Sequence, residues 1–219
     1  MKSVFVAAAL CLSASFAQAQ TTGDTVISSG FTTLGFSVEG AYQVSPEYRV
    51  RGVFMGVPDN DALSDSFENG GTLYEYNATI GGIAALFDYY PSGPDWRFSG
   101  GVLISRTEFR GNAALSQDNV FTLDDGTVID TGTARLDTTF SRRFSPLATV
   151  GYDYWFDDRW VFSGELGAIF IGGLSLAASS TNATLQAEIA NDADVLQAEQ
   201  TAQETTVLPY ISFSVGYRF

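Results

Sequence analysis

The last nine residues of the chain alternate without a break: Ile211, Phe213, Val215, Tyr217 and Phe219 are apolar, while Ser212, Ser214, Gly216 and Arg218 between them are small or polar. Successive side chains of a β-strand point to opposite faces, so this segment presents one greasy face and one polar face. It belongs between two different media. A half-buried strand of a soluble sandwich is one such setting. A strand of a transmembrane barrel, with lipid on its apolar side and a lumen on its polar side, is the other.

The same pattern recurs upstream in segments of about ten residues, the length a tilted membrane strand needs. Trp160, Phe162, Leu166, Ala168 and Phe170 share one face, with Ser163, Glu165 and Gly167 opposite. Before them Phe144, Ala148, Val150, Tyr152 and Tyr154 alternate with Thr149, Gly151 and Asp153, and residues 156–159 make a tight turn between the two. Residues 74–87 and 96–105 flank the turn 91–95, and residues 34–42 and 48–57 flank the turn 43–47. Three hairpins and a closing strand make seven, and an even number is required, which places an eighth strand over residues 24–29. The short turns alternate with long polar connections over residues 58–72, 111–135 and 179–206. Tyr42, Tyr48, Tyr89, Tyr90, Trp96, Tyr154, Trp155 and Trp160 cluster at the short-turn ends, where an interfacial girdle would lie. The expected fold is all-β: an eight-stranded antiparallel transmembrane barrel with short periplasmic turns and long extracellular loops.

The ends of the chain and its charge agree with export to an outer membrane. Lys2, the apolar run 4–12 and Ala17-Gln18-Ala19 read as a signal peptide over residues 1–19, leaving residues 20–219 as the barrel domain. The single cysteine, Cys11, falls in the removed part, and Leu10 before it is too bulky for a lipoprotein cleavage box. No later stretch reaches the roughly 18 apolar residues of a spanning helix. Only 16% of residues are charged, against roughly 25% in soluble domains. Lys2 is the sole lysine among 11 basic residues, so ten arginines face 25 acids in the mature chain. That balance excludes nucleic acid as a partner and disfavours direct binding of anionic lipid. The expected surroundings are outer-membrane lipid and lipopolysaccharide, with a monomeric barrel.

The assigned faces send Glu39, Glu75, Asp153 and Glu165 inward together with Arg49, Arg51, Arg97 and Arg218. An eight-stranded barrel is just wide enough for side chains to fill it, so these charges pair across the lumen as a plug, or they line a narrow selective path. The remaining acids fall on loops and turns, among them Asp59, Asp61, Asp65, Glu68, Asp118, Asp124, Asp125, Asp130, Asp192 and Asp194. They keep the loops solvated or share divalent cations with lipopolysaccharide phosphates; Asp59-Asn60-Asp61 and Asp124-Asp125-Gly126 lack the ligand spacing of a calcium loop. Asp125-Gly126 between residues 120–123 and 127–129 predicts a small hairpin. Leu185, Ile189, Ala193 and Leu196 recur at helical spacing, as an amphipathic helix lidding the mouth or as a mobile acidic loop.

Chemistry-bearing motifs are scarce. The chain has no histidine, no Gly-x-Ser-x-Gly elbow, no phosphate-cradling loop and, with Cys11 removed in the signal peptide, no thiol for zinc, so no catalytic residue, cofactor or metal is expected. Asp153 and Glu165 form a carboxylate pair that acid/base chemistry would need, yet the strand pattern accounts for both. The segments LGFSVEGAYQVSPEYRVRG, LFDYYPSGPDWRFSGGVL and YISFSVGYRF resemble small proteobacterial outer-membrane proteins of the OmpA- and OmpW-like superfamily, in particular CarO-type, ornithine-uptake porins. The turn departs from that pattern, with Ser92 and Pro94 where Phe and Gly are commoner. The resemblance implies an eight-stranded barrel and passage of small solutes such as basic amino acids. It also implies that Phe213, Val215, Tyr217 and Phe219 form a C-terminal signal read by outer-membrane assembly machinery. Three functions stay open: a structural barrel presenting surface loops, a narrow porin, and an adhesin or receptor acting through acidic loops.

Overall fold

The computed structural model describes residues 22–58, 63–69, 72–115, 120–123 and 126–219. The expected signal peptide lies outside them, as do Asp59, Asp61, Asp118, Asp124 and Asp125. In chain order the elements are β1 (Thr25–Thr32), β2 (Gly35–Ser45), β3 (Tyr48–Gly56), β4 (Ser64–Asn69), β5 (Thr72–Thr79), β6 (Gly81–Tyr89), β7 (Trp96–Ser105), β8 (Glu108–Leu115), β9 (Phe121–Thr122), β10 (Val128–Ile129), β11 (Gly132–Phe140), β12 (Phe144–Phe156), β13 (Trp160–Phe170), β14 (Leu174–Ser180), α1 (Ala183–Asn191), α2 (Ala193–Glu204) and β15 (Val207–Arg218). Eight of the strands close an antiparallel barrel in the order β1-β15-β13-β12-β7-β6-β3-β2. This is the fold class expected from the alternation.

Closure runs through β1 and β15, paired from Val26 opposite Arg218 to Thr32 opposite Ser212. The strand expected over residues 24–29 therefore exists and is longer, because its pairing with β2 continues through Gly30 to Thr32 after the apolar alternation has lapsed. Gly30 is required at this seam, since a Cβ there would collide with the Phe213 carbonyl oxygen. The link to β2 is only Thr33-Leu34, and Gly35 turns it at φ 109°. Leu34, expected to open a strand, folds instead into the barrel mouth and is buried.

Outward positions are apolar and exposed, as at Phe36, Phe54, Ile83, Phe98, Leu166 and Phe213. Nothing but hydrocarbon suits so continuous a belt. At the short-turn end Tyr48 stacks on Tyr89 at 5.4 Å between ring centroids, and Trp96 meets Tyr152 and Trp160 meets Tyr217 edge-on. Two members of the expected girdle do not face out. Tyr90 is 1% exposed and Trp155 half-buried, because both continue the inward parity of Asp88 and Asp153.

The long connections hold more structure than their polarity suggested. The expected strand over residues 74–87 is two, β5 and β6, divided at Gly81 with φ 142°. Pairing nevertheless stays in step across the division, Gly82 opposite Ser105 below it and Thr79 opposite Glu108 above. Four barrel strands are thus prolonged by β5, β8, β11 and β14, which with β4 form a second sheet in the order β14-β11-β8-β5-β4. Beyond a membrane neither face meets lipid, so the pairing needs no greasy side and leaves little hydropathy signal. Phe140 and Leu174 at the base of this sheet pack on the lumen cluster, which makes that face a continuation of the lumen wall. The sheet stands over one side of the mouth, and the other side ends low at Thr33-Leu34.

On β14 rest two helices, where the sequence allowed one helix or a mobile loop. Asn182 caps α1 by accepting from the Thr184 and Leu185 amides, and Asp192 stops α1 and caps α2 through Asp194 and Val195. The hairpin expected around Gly126 forms, with Val128 opposite Thr122 and Ile129 opposite Phe121. Its Leu123 and Ile129 meet Leu185 of α1, with Leu115, Ala134 and Ile189 around them.

Candidate functional site

The buried charges of the barrel interior are projected inward by strand geometry from six of the eight barrel strands. β2 supplies Glu39, β3 supplies Arg49 and Arg51, β6 supplies Asp88, β7 supplies Arg97 and Ser99, β12 supplies Thr149 and Asp153, and β13 supplies Glu165. Residues two apart share a face, so Arg49 and Arg51 stand one above the other.

Arg51 is the hub. Its Nε lies 2.7 Å from Asp88 Oδ2, its Nη1 3.2 Å from Glu39 Oε2, and its Nη2 2.8 Å from Glu165 Oε1. Nη2 also donates to Ser99 Oγ at 3.3 Å. Arg49 Nε donates to Asp88 Oδ2 at 2.8 Å, its Nη1 lies 3.3 Å from Asp153 Oδ2, and its guanidinium sits 5.2 Å from the centre of the Tyr90 ring. Arg97 pairs with Asp153 and reaches Glu165 Oε2 at 3.2 Å through Nη2. The carboxylates are completed by hydroxyls: Tyr90 and Ser163 donate to Asp153 at 2.8 and 2.7 Å, Thr149 to Glu165, and Ser214 to Glu39 at 3.4 Å. Asp88 and Asp153 are 0% exposed, so the ions survive burial only through this mutual pairing.

A glycine makes one of these contacts possible. Gly151 on β12 stands between Arg97 on β7 and Glu165 on β13, opposite each in register. A Cβ there would lie 2.8 Å from Arg97 Nε, so its absence lets the arginine lie flat across β12 to reach Glu165.

Toward the long-loop end the same strands turn apolar inside. Val53 and Met55 follow Arg51 on β3, Ala84 and Leu86 precede Asp88 on β6, and Leu103, Leu147 and Ile169 join them in one buried cluster with Leu34 and Tyr210. The lumen is therefore filled in two layers, an ionic one near the short turns, with a small apolar cluster of Val26, Ala41 and Val161 at that end, and a mainly apolar one above.

Six of the eight charges expected inside meet in this network: Glu39, Arg49, Arg51, Arg97, Asp153 and Glu165. Two do not. Glu75 is exposed on β5, in the second sheet, because the strand that carries it breaks at Gly81 before the barrel wall begins. Arg218 stays at the short-turn rim, 3.3 Å from Asp24 Oδ2 and 4.8 Å from the Trp155 ring centre. Asp88 was missed, since the strand was expected to stop at residue 87; the parity of Leu86, Asp88 and Tyr90 was the available signal. The buried layer contains four carboxylates, Glu39, Asp88, Asp153 and Glu165, against three guanidiniums. The terminal residues Phe213, Val215 and Phe219 are exposed on the outer wall, and Tyr217 is half-buried among Trp160 and Phe219.

No protein-family profile and no curated protein sequence matches the chain. Two solved structures are similar in fold. CarO from Acinetobacter baumannii is 14% identical over 91% of this chain and 98% of its own, with a TM-score of 0.51. CarO2 from the same organism is 15% identical over 91% of this chain and 100% of its own, with a TM-score of 0.53. The resemblance to CarO-type barrels holds at the level of the fold, across nearly the whole chain.

Proposed function

We propose that this protein is a non-enzymatic outer-membrane barrel, closed along its lumen, that presents a sheet-and-helix platform outside the cell. In this reading residues 1–19 direct export, the short turns lie in the periplasm, and Phe213, Val215, Tyr217 and Phe219 serve assembly. The observation that carries it is the double filling of the lumen. An ionic layer whose arginines bridge several carboxylates each is topped by a mainly apolar layer in which, among the described residues, the buried polar groups are Ser37, Ser105, Ser145 and the Tyr210 hydroxyl and none is charged. Every buried carboxylate is engaged by arginine and no histidine exists to act as base, which supports a role without catalysis.

A second reading, a narrow porin, draws support from the excess of one carboxylate over guanidinium in the buried layer. An opened lumen would favour cations, in line with the small basic solutes that the CarO-type resemblance implies. Planar-bilayer conductance separates the two. The closed barrel gives no sustained steps, and Leu103→Ala with Leu147→Ala, which opens a gap in the apolar layer, produces them. A porin conducts without those changes, and Glu39→Gln lowers its preference for cations.

A further inference from the structure

The arginines of this acidic protein are not distributed evenly. Arg49, Arg51, Arg97, Arg110, Arg135 and Arg218 all pair with carboxylates, and Arg159 donates to the Tyr217 hydroxyl at a short turn. Among the described residues, Arg106, Arg142 and Arg143 make no ion pair, although the chain carries 25 acids. All three are exposed and lie at one level. Arg106 follows the last residue of β7 and Arg143 precedes the first of β12, two residues beyond Ile104 and one before Phe144, which face each other on the outer wall. That is the rim where the apolar belt ends.

Arg106 also lies between two depressions in the outer wall. On one side a groove of about 510 Å³ runs over β2, β3 and β6, walled by Phe36, Phe54 and Ile83. Its floor is a row of glycines: Phe36 is opposite Gly56, Gly56 is opposite Gly81, and the Arg106 amide donates to the Gly81 carbonyl at 2.9 Å. On the other side a notch of about 250 Å³ is lined by Arg106, Arg143, Thr107, Thr139 and Glu108 together with Phe140. Glu108 does not neutralise the notch, because Arg110 lies 2.6 Å from it and takes up its charge.

A greasy groove leading to a notch with two unneutralised guanidiniums matches a ligand with acyl chains beneath a phosphate. Arginine forks bind phosphate oxygens bidentately, and basic clusters at a membrane boundary capture anionic headgroups. We infer that this wall is a seat for the phosphorylated, multiply acylated glycolipid of the outer leaflet. A phosphate would sit between Arg106 and Arg143, and one acyl chain would lie over Gly56 and Gly81. The inference rests on the outer-membrane reading and on the long loops facing outward. It also narrows the effect of net charge: an overall acidic protein can hold an anionic lipid where local charge is positive.

The test is native mass spectrometry of the folded barrel in neutral detergent, titrated with bisphosphorylated lipid A, with dephosphorylated lipid A and with inorganic phosphate. The wild type is expected to retain one bisphosphorylated molecule at least tenfold more tightly than the dephosphorylated form, with inorganic phosphate a poor competitor. Arg106→Gln with Arg143→Gln loses that preference, and Arg159→Gln at the opposite rim keeps it. Heat-modifiable migration reports whether each variant is folded; if the double variant is not, Arg143→Gln alone and the two lipid forms on the wild type decide. Equal binding of both lipid forms, a double variant that binds as the wild type does, or displacement by inorganic phosphate at matching concentration overturns the site. Recovery of the processed protein in a detergent-free soluble fraction would instead overturn the membrane reading beneath it.

Discussion

The two halves of the lumen are lined by the same strands and filled by opposite chemistries. On β3 the inward series runs Arg49, Arg51, Val53, Met55; on β12, read toward the short turns, it runs Leu147, Thr149, Gly151, Asp153. The ionic half depends on directional contacts in which each arginine serves several carboxylates, so its members are coupled. The apolar half depends on volume and shape alone, so a loss there stays where it occurs. The comparison shows how a barrel with no continuous soluble core can still be packed throughout: ions specify one arrangement, and hydrocarbon seals the remainder.

The comparison is tested hardest at the hub. Arg51→Met leaves Glu39, Asp88 and Glu165 without their shared cation, and breaking a buried pair costs about 3–5 kcal/mol. Urea unfolding in lipid vesicles should show a markedly lower midpoint and a reduced yield of the heat-modifiable folded form; a wild-type midpoint would show that the ions are not coupled. Leu147→Ala, in a side chain 2% exposed, should cost about 3 kcal/mol. Unlike the hub variant it should leave the ionic layer intact, so combining it with Arg97→Met gives nearly additive losses; strong non-additivity would join the two layers into one. The smallest effect is expected at the rim, where Arg218→Met removes a partly exposed pair with Asp24 and should shift the midpoint by less than about 1 kcal/mol.

Barrel closure, the number of strands and six of the buried charges were legible because period-two alternation survives wherever one face meets lipid. Legibility failed where that contrast disappears. Val53, Met55, Leu86, Leu103 and Leu147 are apolar and point inward, so residues 53–55 and 102–104 read as uniformly greasy. The second sheet, beyond the belt, has no lipid side: in the sequence β5 reads as part of one strand with β6, and β4 with parts of β8, β11 and β14 reads as polar connections. The ends of strands misled for a related reason: Asp88 and Tyr90 continue an inward parity past the point where outward hydropathy stops.

The sequence by itself determined a two-faced strand repeated until it must close on itself, since backbone groups in hydrocarbon can be satisfied only within a sealed sheet. What it could not determine was which inward residues meet. Arg97 reaches Glu165 across Gly151, and Arg51 gathers acids from three strands, only because closure and register bring distant segments to the same height. The glycine-floored groove beside Arg106 is likewise a property of four neighbouring strand positions that no local pattern links. Alternation is a local consequence of chain geometry, whereas side-chain partnership depends on the tertiary register.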